Sequence, residues 1–346
     1  MRRARPPFVL LLMNALVDLH CNAFGAGGDG RLVSSLHHDA DERLCSRDPD
    51  QHASQAHQAL LLALNEARNV FILFIARLFL RCGLDIDHQV IWKTGESSPL
   101  WKSANAVYHR SASGGGQWEY RRRMPEKWQI TYGDICMVVS PTGFKHTGVF
   151  PEQAVNWDAY ARLIAAAERP IRVLNLFGYT GGATLACAAA GASVCHVDAS
   201  KGMVAWGREN AAASGLADKP VRWIVDDCAK FVAREIRRGV RYDGIIMDPP
   251  SYGRGPGGEV WKLEDSIYDF IDLCAGVLSD EPLFVAVNSY TTGLSPSVME
   301  YMLRARVCPR WGGHTACDEI GLPVTATGGV VPCGATAWWL ARNAGL

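Results

Sequence analysis

An aspartate followed by two prolines, Asp248-Pro249-Pro250-Ser251-Tyr252, comes straight after an apolar run, Ile245-Ile246-Met247. Of all segments in the 346-residue chain, this one is best suited to chemistry. The prolines lack backbone donors and fix the loop, so carbonyls and the Asp248 carboxylate face a pocket with little freedom. Such a loop can hold the amino group of a planar base, and Tyr252 offers a face on which to stack it. A purely structural turn rarely needs Asp-Pro-Pro-aromatic after an apolar strand.

A second candidate lies upstream, where an apolar run ends in Asn175-Leu-Phe177-Gly178-Tyr-Thr180-Gly181-Gly182. Glycines there permit positive φ and close approach of the backbone to a ligand. Tight strand-to-helix turns need glycine anyway, so this loop by itself is weak evidence. The next run ends at Asp198, where a carboxylate can accept both hydroxyls of a ribose. NAD would use the same group, but the loop does not match the G-x-G-x-x-G spacing of a pyrophosphate site. The plainer role for Asp198 is a cap on the following helix. Asp226-Asp227 ends a third run; Asp227 is favoured to accept from an adenine amine, a role compatible with capping a helix.

These residues need a scaffold that brings successive strand ends together. The spacing predicts helices over 158–168, 182–190, 201–213, 227–238, 262–278 and 296–305. Between them it predicts strands at 171–176, 193–197, 221–225, 243–247 and 282–288, a pattern that builds a parallel sheet covered on both faces. Two further strands, near 314–320 and 330–341, form a closing hairpin. Upstream, short β-type stretches at 89–92, 106–109, 117–120, 128–132 and 135–139 predict a small, largely antiparallel sheet. Residues 58–81 carry helical spacing. The expected divisions are 1–57, targeting-like or disordered; 58–145, a helix plus a β-rich accessory, substrate-binding region; and 146–346, the catalytic domain.

Lys plus Arg equals Asp plus Glu at 35 each, so any polyanion must meet locally clustered cations. One cluster mixes cations with aromatics: His109-Arg110, Gln117-Trp118-Glu119-Tyr120, Arg121-Arg122-Arg123 and Lys127-Trp128. It can neutralise phosphates and stack bases, or be the solvated face of a small sheet. His146 stands alone and reads as structural. The eleven cysteines include no CxxC pair, which argues against zinc and redox motifs; Cys187, Cys195 and Cys274 lie in apolar runs and read as core. No metal is expected. Met1-Arg-Arg-Ala-Arg opens a basic, then apolar, then small pattern resembling a signal peptide; a chance apolar start or a misassigned start codon gives the same pattern. Neither Phe8–Leu16 nor Val70–Leu80 is long enough to span a bilayer, so no stable membrane insertion is expected.

Read in order, these residues resemble the class I S-adenosylmethionine-dependent methyltransferases, and more closely the bacterial ribosomal RNA large-subunit methyltransferase I/K group. The similarity extends to Lys145-His-Thr-Gly-Val-Phe-Pro-Glu-Gln153, Asp318-Glu-Ile-Gly-Leu-Pro and Pro332-Cys-Gly-Ala-Thr. It implies a doubly wound, Rossmann-like seven-stranded α/β sheet with the last strand antiparallel. It implies that Asn175, Phe177, Gly178, Thr180 and Gly181 wrap the methionine part of S-adenosylmethionine. Asp198 would hold the ribose and Asp227 the adenine, while Thr147, Phe150 and Gln153 close the pocket. Asp248, Pro249, Pro250 and Tyr252 would face the methyl acceptor, with Asp248 also bordering the cofactor. Arg110, Trp118, Arg121, Arg122 and Arg123 are the candidate substrate contacts.

The implied partner is RNA, with a homodimer open and a cytoplasmic location unless residues 1–25 are a targeting segment. Residues 1–85 show nothing like the PUA domain usual in the RNA-modifying members. Carbon-5 methylation of cytosine needs a cysteine after the fifth strand, where this chain reads Val287-Asn-Ser-Tyr-Thr-Thr292; serine or threonine stays protonated there and is a poor nucleophile. A nitrogen acceptor on a ribosomal RNA base is therefore expected. The alternatives are a small-molecule or protein acceptor, a non-catalytic RNA-binding relative, and an NAD-type oxidoreductase, against which the glycine loop and Asp-Pro-Pro argue.

Overall fold

Three apolar runs, β6 (Arg172–Leu176), β9 (Gly244–Met247) and β12 (Phe284–Ser289), are buried along almost their whole length. Runs without polar alternation belong between two covering layers. The computed structural model describes residues 84–86, 104–110, 116–143, 146–254, 257–258, 260–291, 293–323, 330–342 and 344. The expected helix over 58–81, the strand at 89–92 and the targeting-like segment lie outside the described residues.

The central sheet has seven strands in the order β13 (His314–Pro323), β14 (Val330–Leu340), β12, β9, β6, β7 (Ser193–Asp198), β8 (Val221–Val225). Strands β12, β9, β6, β7 and β8 run parallel; β14 is antiparallel to both β12 and β13. The expected closing hairpin is present, and its second strand inserts beside β12 so that β13 forms the edge. Connections leave β6 toward β7 and β8, then return across it to β9. The switch point, where ligands of doubly wound sheets bind, thus falls at the carboxyl ends of β6 and β9.

Alternation along β12 shows how each face is filled. Phe284 and Ala286 join one core with α1 (Ala154–Ala166) and α2 (Gly182–Ala189), while Val285 and Val287 join the other with α4 (Cys228–Arg237), α5 (Leu263–Ala275) and α6 (Pro296–Arg306). Cys187, Cys195 and Cys274 are buried in these cores, as read from the sequence, and Cys228 is buried with them. Helix α3 (Lys201–Ala213) covers β7 and β8 and is capped by the Ser200 hydroxyl. A short α7 (Cys308–Trp311) follows α6.

Upstream strands make two pieces. β1 (Leu84–Ile86), β2 (Ala106–Arg110) and β3 (Gly116–Tyr120) form one sheet, with β1 parallel and β3 antiparallel to β2. The hairpin β4 (Trp128–Tyr132) and β5 (Ile135–Val139) is separate. Its inward side chains, Trp128, Ile130, Tyr132, Ile135, Met137 and Val139, share the core of α1 and α2. Asn210 of α3 fastens it: its Oδ1 accepts the Val138 amide at 2.8 Å, and its Nδ2 donates 2.8 Å to the Thr180 carbonyl.

Candidate functional site

The turn after β6 carries the backbone strain of the site. Phe177 (φ 56°) and Tyr179 (φ 50°) hold left-handed conformations that cost non-glycine residues energy, and Gly181 (φ 89°) begins α2. Surrounding bonds fix the turn: Gly178 N–H donates to the Val197 carbonyl, Tyr179 N–H to Asp198, and the Thr180 hydroxyl to the Gly148 carbonyl. At Gly178 the demand for glycine is steric, since a Cβ would meet the His196 ring at 2.4 Å. His196 is fully buried, bonded through Nδ1 to Thr184 at 2.9 Å, and desolvation pushes its pKa down to about 3.

This turn, the end of β9 and the segment before α1 line a cleft open to solvent at the switch point, where doubly wound sheets bind ligands. Phe150, Gln153, Asn175, Phe177, Gly178, Thr180 and Asp248 of the expected residues line it. Met137, Trp157, Tyr160, Tyr179 and Asn288 line it too and were not foreseen. Phe177 borders the cleft at the strained turn, while its ring packs on Trp261 and Phe270 at 5.1 and 5.7 Å. Asn175 donates 2.8 Å to Thr184. The ring of Phe150 lies 5.4 Å from Tyr179 and 5.5 Å from Tyr290, with His146 5.1 Å away on another side.

Asp198 ends β7 beside this turn. Its Oδ2 accepts Tyr179 N–H at 2.9 Å and its Oδ1 accepts Ser200 N–H at 2.8 Å, so the side chain is oriented by both neighbours. Each oxygen keeps a second lone pair. Burial raises its pKa. The cap on α3 belongs to Ser200 instead. Asp227 caps α4 by accepting Lys230 N–H at 2.9 Å, and Asp226 pairs with Arg234. Thr147 is buried beside the cleft, with its carbonyl accepting Ser140 N–H. Asp227, Thr147, Gly181 and Asp198 are not among the residues that line the cleft.

Asp248 is the half-buried carboxylate that lines the cleft. Desolvation pushes its pKa up to about 6, and the Asn288 amide, donating 2.8 Å to Oδ1, pulls the other way. Beyond Asn288 the hydrogen bonds continue. Thr336 Oγ1 donates 2.8 Å to Asn288 Oδ1, and Asn156 Nδ2 donates 2.9 Å both to Thr336 Oγ1 and to Gln153 Oε1. Gln153 Nε2 in turn donates 2.9 Å to the Tyr290 hydroxyl. The signal for Asn288 was present in the sequence: it closes the apolar run of β12 as Asp248 closes that of β9, and the register Val287↔Met247 makes them neighbours.

After Pro249 and Pro250 the chain forms a small antiparallel hairpin, β10 (Tyr252–Arg254) and β11 (Val260–Lys262). Two three-residue strands amid glycine and proline give no periodic signal, and the hairpin was not anticipated. Trp261 anchors it, donating 2.7 Å to the Pro250 carbonyl while packing on Phe177 and Phe270. Tyr252 is exposed at the hairpin's start, opposite Lys262.

The cation–aromatic cluster sits on the β2–β3 sheet and the turn after it, except that Trp128 opens β4 with its side chain in the core and Lys127 pairs with Glu209. Trp118 is half-buried, donating 2.9 Å to the Thr142 carbonyl and packing 5.3 Å from Tyr108. Arg121, Arg122 and Arg123 are exposed, and Arg121 pairs with Glu119. The Arg110 side chain lies outside the described residues, as does Lys145. Among the described residues no group of three or more His, Cys, Asp or Glu could hold a metal, and no helix is long and apolar enough to cross a membrane.

Comparison with known proteins places these features in context. Residues 108–261 match a family described as S-adenosylmethionine-dependent methyltransferase. A SAM-dependent methyltransferase from Agrobacterium tumefaciens is 36% identical, with a TM-score of 0.70 over 75% of this chain and 84% of that one. The ribosomal RNA large subunit methyltransferase K/L of Shewanella baltica (strain OS195) is 33% identical over 141 residues, 40% of this chain. That match spans only 18% of the relative's length. A structure described as a methyltransferase complexed with SAH shares the fold at 20% identity and a TM-score of 0.56, covering 70% of this chain and 63% of that one.

Proposed function

The chain belongs to the S-adenosylmethionine-dependent methyltransferase family, and from that premise we propose that it methylates RNA, at a nitrogen of a ribosomal RNA base. The observation that carries this reading is the cleft itself. It presents the half-buried Asp248 carboxylate at the start of the Asp-Pro-Pro loop, and none of the eight described cysteines lines its walls. Methylation at cytosine carbon 5 needs a thiolate to add to the ring. Methylation at nitrogen needs a group that orients an N–H and takes its proton, which a carboxylate can do. The ribosomal RNA relatives and the exposed Arg121–Arg123 run support RNA as the acceptor.

The residues present fit S-adenosylmethionine. Apolar Met137, Val149 and Trp157 offer a floor for an adenosine, and the left-handed turn at 177–181 admits a ligand close to the backbone. In this reading Asp198 accepts the ribose hydroxyls with its remaining lone pairs, and Asp227 serves the adenine while capping α4. Asn175, Gly178 and Thr180 border the methionine part, and Thr147, Phe150 and Gln153 close the site. When bound, the cofactor supplies a methyl group activated by a sulfonium, so no protein nucleophile is required. Asp248 holds the acceptor amine, Tyr252 stacks its base, and the rigid prolines keep both from swinging.

The test is transfer of labelled methyl from S-adenosylmethionine to ribosomal RNA, protein and small-molecule pools, followed by mass spectrometry of the nucleosides. An N-methylated base is expected. Label in 5-methylcytosine, or in protein or small molecules with none in RNA, overturns the proposal. RNA binding without transfer to any pool would indicate a non-catalytic relative.

A further inference from the structure

Hydrogen-bond direction can be followed residue by residue around the cleft. Asp248 Oδ1 is an acceptor, so the Asn288 group beside it must be the amide nitrogen. Asn288 therefore turns its carbonyl to Thr336, whose hydroxyl must donate, and the same oxygen must then accept from Asn156. The second Asn156 hydrogen goes to Gln153 Oε1. Gln153 donates to Tyr290, whose hydroxyl bonds the Glu152 carboxylate. Two one-way chains thus leave a single amide, Asn156 of α1, and each ends on a carboxylate. Asn156, Asn288 and Thr336 are all about 2% exposed, so the bonds among these three are shielded from water. In such surroundings each bond strengthens the next.

This relay joins elements far apart in the sequence: α1 with the turn before it, β12, β14 and the loop after β9. Building on the acceptor role given to Asp248 above, we infer that Asn288 and Thr336 are positioning residues for methyl transfer. Asn288 occupies Asp248 Oδ1 and Thr336 holds Asn288 in that orientation, which stabilises the carboxylate form and leaves Oδ2 as the acceptor for the substrate N–H. The titratable groups that feel Asp248 are Tyr160 of α1 and Tyr290 after β12. Burial holds both phenols well above their ordinary range, so neither titrates alongside it.

The variant that tests the relay is Thr336→Val, which keeps the volume and removes the donor; Thr336→Ser restores it. The readout is the pH-difference infrared band of a buried carboxyl, assigned by its loss in Asp248→Asn. The wild type is expected to titrate near pH 6, Thr336→Val about one unit higher, and Thr336→Ser as the wild type. With RNA as acceptor, kcat at pH 6 should fall about fivefold in Thr336→Val, following the lost carboxylate form, while KM for S-adenosylmethionine stays within twofold. A Thr336→Val band at the wild-type midpoint overturns the inference. This readout needs no RNA, so it separates the relay from the proposed acceptor: an unmoved band with active wild type sinks only the relay, and a moved band without RNA methylation sinks only the acceptor. If Thr336→Val does not fold, Asn288→Asp replaces it. A second carboxylate there should raise the Asp248 midpoint further, and an unchanged midpoint overturns the inference.

Discussion

Asp248 concentrates the chemistry because its environment opposes its charge. Its pKa near 6 lies above the ordinary carboxylate value of about 3.9, so folding takes up a proton between those values. The sign follows: the native state loses stability as pH rises through that window, and the loss persists above pH 6. Asp248→Asn is therefore expected to melt no lower than the wild type at pH 7, with a gain of up to about 2 kcal/mol that vanishes near pH 4, measured by thermal melting across pH. The same variant should lose about a hundredfold or more in kcat, and the wild-type rate should rise with pH to a plateau above about 6. A fully active Asp248→Asn would remove the carboxylate from the mechanism. At Gly178 the constraint is packing. An alanine there must push against the immobile His196 ring, at a cost of about 1–3 kcal/mol and a drop in cofactor affinity seen by calorimetry.

At the scale of elements, loops from distant parts of the chain are held to the sheet by single buried amides. Asn210 joins the β4–β5 hairpin to the turn after β6 by satisfying one group on each. Asn210→Ala strands the Val138 amide and the Thr180 carbonyl, and should cost about 2–4 kcal/mol in chemical denaturation. Cofactor affinity should fall with it, because Thr180 borders the cleft. Unchanged affinity in a destabilised variant would separate the hairpin from the site. The β10–β11 hairpin hangs in the same way on Trp261, which bonds the Pro250 carbonyl and fills the space between Phe177 and Phe270. It thereby links the acceptor-facing prolines to the strained turn on the cofactor side.

Over the whole molecule the charges balance, so affinity for a polyanion must come from where cations lie. Replacing Arg121, Arg122 and Arg123 by alanine should weaken RNA binding and flatten its dependence on log salt concentration by about 1–2, since Arg121 already spends part of its charge on Glu119. Affinity for S-adenosylmethionine should not move. An unaltered salt slope would show that the RNA path lies elsewhere.

Much of this was written in the order of residues. Alternating apolar runs and helical periods locate the strands and helices of the central domain to within a few residues, because each is set by local burial with period 2 or 3.6. Asp248-Pro-Pro and the glycine turn are likewise local, and their resemblance identifies the family. The sequence could not show that β4–β5 packs into the same core as α1 and α2, nor that Phe177 and Tyr179, not Gly178, carry positive φ. Nor could it reveal the line from Asn156 through Thr336 and Asn288 to Asp248. These depend on contacts between residues as far as 180 positions apart, and only closure of the sheet, with β14 inserted beside β12, brings them within hydrogen-bond reach.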